Sequence, residues 1–113
     1  MSDLIEEFLD AKSVEDGVSI NTLQAYRRDV KQFIELLSSV KIENICDEDL
    51  EVYLKKIEAF EYSPKTISRK ISCIREFFKF LLSENIIRNN LGIIFELSIW
   101  KYFPENFKLS CNK

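Results

Sequence analysis

The chain has 113 residues, which is enough for one compact domain and too few for two of ordinary size. Hydrophobic residues make up 46% and charged residues 31%, a balance typical of globular rather than disordered proteins. Only two glycines and two prolines are present, and because an all-β domain needs many turns, this scarcity favours helices. The absence of histidine excludes serine–histidine and cysteine–histidine catalysis and any histidine-ligated metal site.

The formal net charge of −3 hides a segregation of charge along the chain. Residues 1–17 hold six acids against one lysine, and residues 43–61 hold seven acids against two lysines. Residues 63–82, in contrast, hold five basic residues against one glutamate. The overall acidity by itself disfavours a nucleic-acid partner. Because an electric field depends on where charges lie, the basic excess in residues 63–82 is an argument in favour of such a partner.

The cysteines and the chain start indicate the compartment. Cys46, Cys73 and Cys111 are too far apart in sequence for a metal-ligand motif, and their odd number does not suggest a secreted disulfide scaffold. The acidic start lacks the pattern of a signal peptide, and no apolar stretch approaches the roughly 18 residues needed to cross a bilayer. We therefore expect a cytoplasmic protein without membrane association.

The first two predicted helices have distinct sequence signals. The first is short, over about residues 3–12, and Gly17 follows it as a residue that adopts positive φ freely. Ser19 is placed to cap the second helix by accepting hydrogen bonds from amides two and three residues on, and residues 38–39 end that helix. Its apolar side recurs at steps of three and four: Leu23, Tyr26, Val30, Phe33, Ile34 and Leu37.

Two further helices follow, and a fifth is compatible with the sequence. The third is predicted over about residues 47–59, with acids in its first turn, where the helix dipole favours them. The fourth begins at Ser63-Pro64, a capping hydroxyl followed by proline at the first helical position. Residues 91–107 are crowded with bulky apolar side chains that show no clear period. We predict a poorly specified tail over residues 91–113, with a fifth helix over residues 91–102 as the alternative. The prediction is an all-α bundle of four or five helices, with a domain at 1–90.

The second and fourth helices both carry basic residues opposite their apolar sides. The full polar sides consist of Gln24, Arg27, Arg28, Lys31 and Glu35 on the second helix, and of Lys65, Ser68, Arg69, Ser72, Arg75 and Lys79 on the fourth. Cationic side chains on two neighbouring helices could contact phosphates on both walls of a DNA groove, and the helix N-terminus at Ser63 is suited to a phosphate. The simpler interpretation is that these residues only solvate exposed faces.

Two segments resemble the amino-terminal domain of the tyrosine recombinases, particularly the Xer type. Residues 21–30, NTLQAYRRDV, are similar to that family's Asn-Thr-Leu-x-x-Tyr-x-Arg-Asp. Residues 63–81 are similar to its Ser-x-x-Thr-Ile-x-Arg-x-Leu-Ser-x-Ile-Arg-x-Phe-Tyr-x-Phe-Leu. The resemblance covers about residues 3–90 in register, and it implies a SAM-like core-binding fold.

This resemblance implies that the two basic helices lie against double-stranded DNA, as the core-binding part of a site-specific recombinase. Tyr26 also falls within the matching motif, but its place on the apolar side indicates packing. With the basic faces included, the candidate DNA contacts are Thr22, Gln24, Arg27, Arg28, Lys31, Ser63, Lys65, Thr66, Arg69, Lys70 and Arg75. Other recombinase subunits are implied as further partners, and neither a cofactor nor a small-molecule substrate is expected.

The sequence departs from the family after the fourth helix. The family continues with an Asn-Pro pair, a linker and a catalytic domain that supplies arginines, a lysine, histidines and a tyrosine nucleophile. Here Asn90 is followed by Leu91, histidine is absent, and Tyr102 lies in no matching motif. We therefore expect a truncated recombinase without catalytic activity. The alternatives are an inactive gene remnant, or a helical protein-interaction module that uses the apolar segment around Trp100.

Overall fold

The computed structural model describes residues 2–37, 41–88 and 91–103, with the side chains of residues 2, 3 and 16 left aside. Within these ranges the chain forms five α-helices and no strand, which confirms the all-α prediction. The helices are α1 (Ser2–Ala11), α2 (Ile20–Leu36), α3 (Asp47–Ala59), α4 (Pro64–Ser83) and α5 (Leu91–Tyr102). A π-helical turn (Lys12–Asp16) extends α1, and a 3₁₀ turn (Ile42–Asn44) precedes α3.

The predicted helix boundaries rest on capping interactions that the structure confirms. The Oγ atoms of Ser19 and Ser63 each accept a hydrogen bond at 3.2 Å, from the amides of Thr22 and Thr66 respectively. Gly17 adopts φ +61°, the left-handed conformation that ends the π-helical turn. The predicted end of the second helix at residues 38–39 lies outside the described ranges.

The core is built from one side of every helix. The apolar positions predicted for α3, namely Leu50, Tyr53, Leu54 and Ile57, are all fully buried. The ring of Phe33 from α2 meets Tyr53 edge to face at 4.9 Å and Phe78 of α4 at 5.6 Å. Phe8 of α1 reaches the same core through Phe77, at 5.2 Å between ring centroids. These contacts hold α2 directly against α4, so the two helices with basic faces are neighbours.

Helix α5 matches the alternative of a fifth helix over residues 91–102 and not the poorly specified tail that was the first expectation for this segment. Leu91, Phe95 and Ile99 are buried in the core, mostly between α3 and α4. Residues 104–113 lie outside the described ranges, and the domain boundary at residue 90 stays a prediction. No helix in the described part of the chain combines the length and apolarity needed to cross a membrane.

Candidate nucleic-acid interface

The predicted DNA contacts occupy different environments in the folded chain. The side chains of Thr22, Thr66 and Arg75 are half-buried, and that of Lys70 is buried. The exposed ones are Gln24, Arg27, Arg28, Lys31, Ser63, Lys65 and Arg69. The basic faces of α2 and α4 are thus accessible along most of the predicted positions, with Lys70 as the clear departure.

A buried carboxylate joins the two basic helices. The side chain of Asp29 on α2 is fully buried and accepts three hydrogen bonds from α4. Arg69 donates through Nε at 3.1 Å to Oδ2 and through Nη2 at 3.3 Å to Oδ1. Lys70 donates from Nζ at 3.0 Å to Oδ1. One acid therefore serves two cations, which leaves an excess positive charge at this helix contact.

Lys70, which the family resemblance made a candidate DNA contact, is buried on the inner side of this cluster and is not on an exposed face. Its Nζ also donates to Oε1 of Gln32 at 2.7 Å and lies 4.9 Å from the ring centroid of Tyr62. The hydroxyl of Tyr62 in turn accepts a hydrogen bond at 2.9 Å from Nε2 of Gln32. Because these partners satisfy the ammonium group inside the fold, Lys70 acts there as a structural residue that joins α2, α4 and the loop before α4.

The sequence alone does not predict that Asp29, Gln32 and Tyr62 form this cluster. A signal was present, because Asp29 lies three residues after Tyr26 and four before Phe33, on the inner side of the apolar pattern. A charged residue at such a position needs a partner from a neighbouring element. The residue that supplies it is set by tertiary packing and could not be read from the pattern.

Other predicted contacts pair with acids of neighbouring helices. Arg27 of α2 forms an ion pair with Glu6 of α1, and Arg75 of α4 pairs with Glu96 of α5. Arg75 therefore lies on the α5 side of α4, whereas Arg69 lies on the α2 side. In the described ranges no acid forms an ion pair with the exposed residues Arg28, Lys31 and Lys65.

Tyr26 on α2 and Cys73 on α4 have packing roles. Tyr26 is half-buried and stacks on Phe8 at 5.9 Å, which agrees with the predicted packing role. The thiol of Cys73 is buried, and its Sγ donates to the backbone oxygen of Tyr26 at 3.6 Å. Burial, with the nearby charge of Asp29, raises the pKa of the Cys73 thiol far above neutrality, so it stays protonated and unreactive.

Comparison with known proteins points to one family. Residues 5–85 match the family described as phage integrase, N-terminal SAM-like domain. Tyrosine recombinase XerC of Listeria monocytogenes serotype 4a is 37% identical over 90 residues, which cover 77% of this chain and 30% of that protein. Tyrosine recombinase XerD of Staphylococcus epidermidis (strain RP62A) is 34% identical over 99 residues, which cover 85% and 34% of the two chains.

A third relative has a somewhat lower identity. Tyrosine recombinase XerC of Herpetosiphon aurantiacus is 31% identical over 93 residues, 80% of this chain and 30% of its own length. The chain thus spans about a third of the length of these relatives. No solved structure was found to match it.

Proposed function

Because this chain belongs to the phage integrase N-terminal SAM-like domain family, we propose that it binds double-stranded DNA as the core-binding portion of a Xer-like site-specific recombinase. The observation that carries the proposal is the pair of adjacent helices α2 and α4 with accessible cations. Arg28, Lys31 and Lys65 are exposed without an acidic partner in the described ranges, and Arg69 is exposed at the contact between the helices.

Binding would be driven mainly by phosphate neutralisation. Each side chain that neutralises a phosphate releases condensed counterions, so affinity falls as salt rises. With only a few such cations and a net charge of −3, we expect dissociation constants in the micromolar range or above. The matched region is the amino-terminal domain of the family, so no strand cleavage or joining is assigned to this chain. Contacts with other recombinase subunits stay a prediction.

A fluorescence-anisotropy titration against a short duplex at two salt concentrations tests the proposal. We expect binding that weakens steeply with salt. The double variant Arg28→Ala/Lys31→Ala should reduce the slope of log K against log salt by about 2, because each lost phosphate contact removes about one unit. Lys41→Ala/Lys101→Ala, which removes two exposed cations outside α2 and α4, is the matched control. Absence of binding at low salt, or equal slopes for the two double variants, would contradict the proposal.

A protein-interaction module is the alternative function, and one observation favours it. Ile93, Leu97 and Trp100 form an apolar side of α5 with exposed fractions of 56%, 67% and 45%. Such a patch is typical of a protein contact surface. The alternative predicts that Leu97→Glu abolishes association with a protein partner, whereas the DNA-binding proposal predicts that Leu97→Glu leaves duplex affinity close to that of the wild type.

A further inference from the structure

The contact between α2 and α4 contains a geometric feature that the proposed function does not by itself explain. Arg69 is exposed over 42% of its side chain, yet its guanidinium is fixed on the core side by the fully buried carboxylate of Asp29. A guanidinium carries five N–H donors in a rigid planar fork. Asp29 accepts from Nε and from one N–H of Nη2, so the remaining donors lie on Nη1 and on the other side of Nη2.

We propose that Asp29 is a positioning residue that orients Arg69 so that the outer edge of its guanidinium binds a DNA phosphate through two hydrogen bonds. The inference rests on the proposed DNA-binding function and adds a specific device to it. An edge with two parallel N–H groups matches two phosphate oxygens, which an ammonium group cannot do. Because Asp29 already holds the fork, less side-chain freedom is lost when the phosphate binds.

Lys70 completes the arrangement from the inner side. Its Nζ lies 3.0 Å from Oδ1 of Asp29 and 2.7 Å from Oε1 of Gln32, so the carboxylate is held in place independently of Arg69. The cluster contains one negative and two positive charges, and the net positive charge reaches solvent through Arg69. The hydrogen bond from Lys70 thus fixes the carboxylate of Asp29, and this carboxylate in turn fixes the guanidinium of Arg69.

The decisive variant changes the geometry without changing the charge. Arg69→Lys keeps the cation but loses the fork, so we expect duplex affinity about tenfold below that of the wild type, with an unchanged slope of log K against log salt. Arg88→Lys makes the same substitution at an exposed position outside α2 and α4, and is expected to bind like the wild type. Thermal denaturation of each variant establishes that it is folded at the titration temperature.

A second variant separates positioning from simple electrostatics by the sign of its effect. Asp29→Asn removes a negative charge, so electrostatics alone predicts tighter DNA binding. Positioning predicts weaker binding, because a neutral amide cannot accept from all three cationic donors. Adding Lys70→Met to Asp29→Asn removes the buried ammonium that would otherwise lack its acid, and this double variant is also expected to bind less tightly than Lys70→Met alone.

The outcomes separate this inference from the function on which it rests. Wild-type binding with an unchanged affinity for Arg69→Lys overturns the positioning role and leaves the DNA-binding function standing. Tighter binding by folded Asp29→Asn, or by the double variant relative to Lys70→Met, overturns it as well. Absence of duplex binding by the wild-type chain at low salt overturns both the proposed function and this inference. Weaker binding by Arg69→Lys and by the Asp29 variants supports both.

Discussion

Asp29 and Lys70 show how a buried charge is accommodated in this small domain. Both are buried, and each has hydrogen-bond partners on neighbouring elements. A buried ion pair is weak evidence for net stability, because desolvation offsets much of the attraction. The pairing is satisfied in the relative placement of α2 and α4 that the structure shows. We infer that the cluster sets the spacing of the two basic faces.

Tyr53 presents the opposite case at the residue scale, a buried polar atom without a partner. Within the described residues its hydroxyl has no hydrogen-bond partner, although the ring is fully buried between Phe33 and Phe95. Burial raises the pKa of Tyr53 far above its ordinary value. A buried hydroxyl that makes no hydrogen bond destabilises the folded state by its lost hydration.

Tyr53→Phe is therefore expected to increase the free energy of unfolding by about 1 kcal/mol. Urea denaturation followed by circular dichroism measures the change. Tyr102→Phe is the matched control, because the hydroxyl of Tyr102 donates to Glu51 at 3.1 Å and its loss should give no stabilisation. A destabilised Tyr53→Phe variant would show that the hydroxyl contributes favourably to the core.

Glu76 forms ion pairs with Lys12 and Lys79, and these pairs make the stability of the fold depend on pH in the acid range. Burial alone would raise the pKa of Glu76, but hydrogen bonds from Lys12 and Lys79 outweigh it and hold this pKa below its ordinary value of 4.5. Because the folded-state pKa is lowered, these interactions stabilise the fold fully above the ordinary value, and the contribution is lost as pH falls through the folded-state value.

Glu76→Gln should accordingly lower the Tm at neutral pH and flatten its decline between about pH 5 and pH 3. The comparison is a series of thermal melts across that range for the wild type, Glu76→Gln and Glu35→Gln, whose glutamate is exposed on α2 outside this cluster. If the Tm of Glu76→Gln falls with decreasing pH as steeply as that of the wild type, Glu76 does not contribute to the loss of stability in acid.

At the scale of elements, capping residues were the most reliable sequence signals. Ser19, Ser63 and Gly17 have the predicted roles because each satisfies a local requirement of the backbone within a few residues. The π-helical turn at Lys12–Asp16 was not predicted, since no local residue pattern distinguishes it from the end of an α-helix.

Helix α5 was ambiguous in sequence for a physical reason. Leu91, Phe95 and Ile99 are buried, while Leu97 and its exposed neighbours on the other side are also apolar. With apolar residues on both sides, the helical period disappears from the sequence. The buried side could be identified only once α3 and α4 were in place.

The packing of α5 predicts that substitutions on its buried side lower the free energy of unfolding far more than substitutions on its exposed side. Phe95 is fully buried against Tyr53 and Phe78, so Phe95→Ala should lower the free energy of unfolding by about 3–5 kcal/mol. Leu97→Ala, two residues away and 67% exposed, should change it by less than about 0.5 kcal/mol. Chemical denaturation of both variants measures the difference, and similar stabilities would mean that α5 does not belong to the common core.

At the scale of the whole molecule, interhelical ion pairs determine which cations remain accessible. Acids on α1 and α5 pair with Arg27 and Arg75, whereas Arg28, Lys31 and Lys65 have no such partner in the described ranges. The exposed basic faces followed from helical periodicity. The burial of Lys70 did not, because it depends on how α2 approaches α4 across 41 residues of sequence. Helical periodicity thus predicts which side of each helix is polar, whereas tertiary packing determines which of the cations on α2 and α4 stay accessible.

The most direct test of the account is amide chemical-shift mapping of the chain during titration with a short duplex. If the cations of α2 and α4 bind DNA, the largest shifts should occur along the exposed side of α2 and the first half of α4, around Arg28 and Arg69, and should diminish as salt is added. Shifts confined to α5 around Leu97, or no shifts at low salt, would contradict the account.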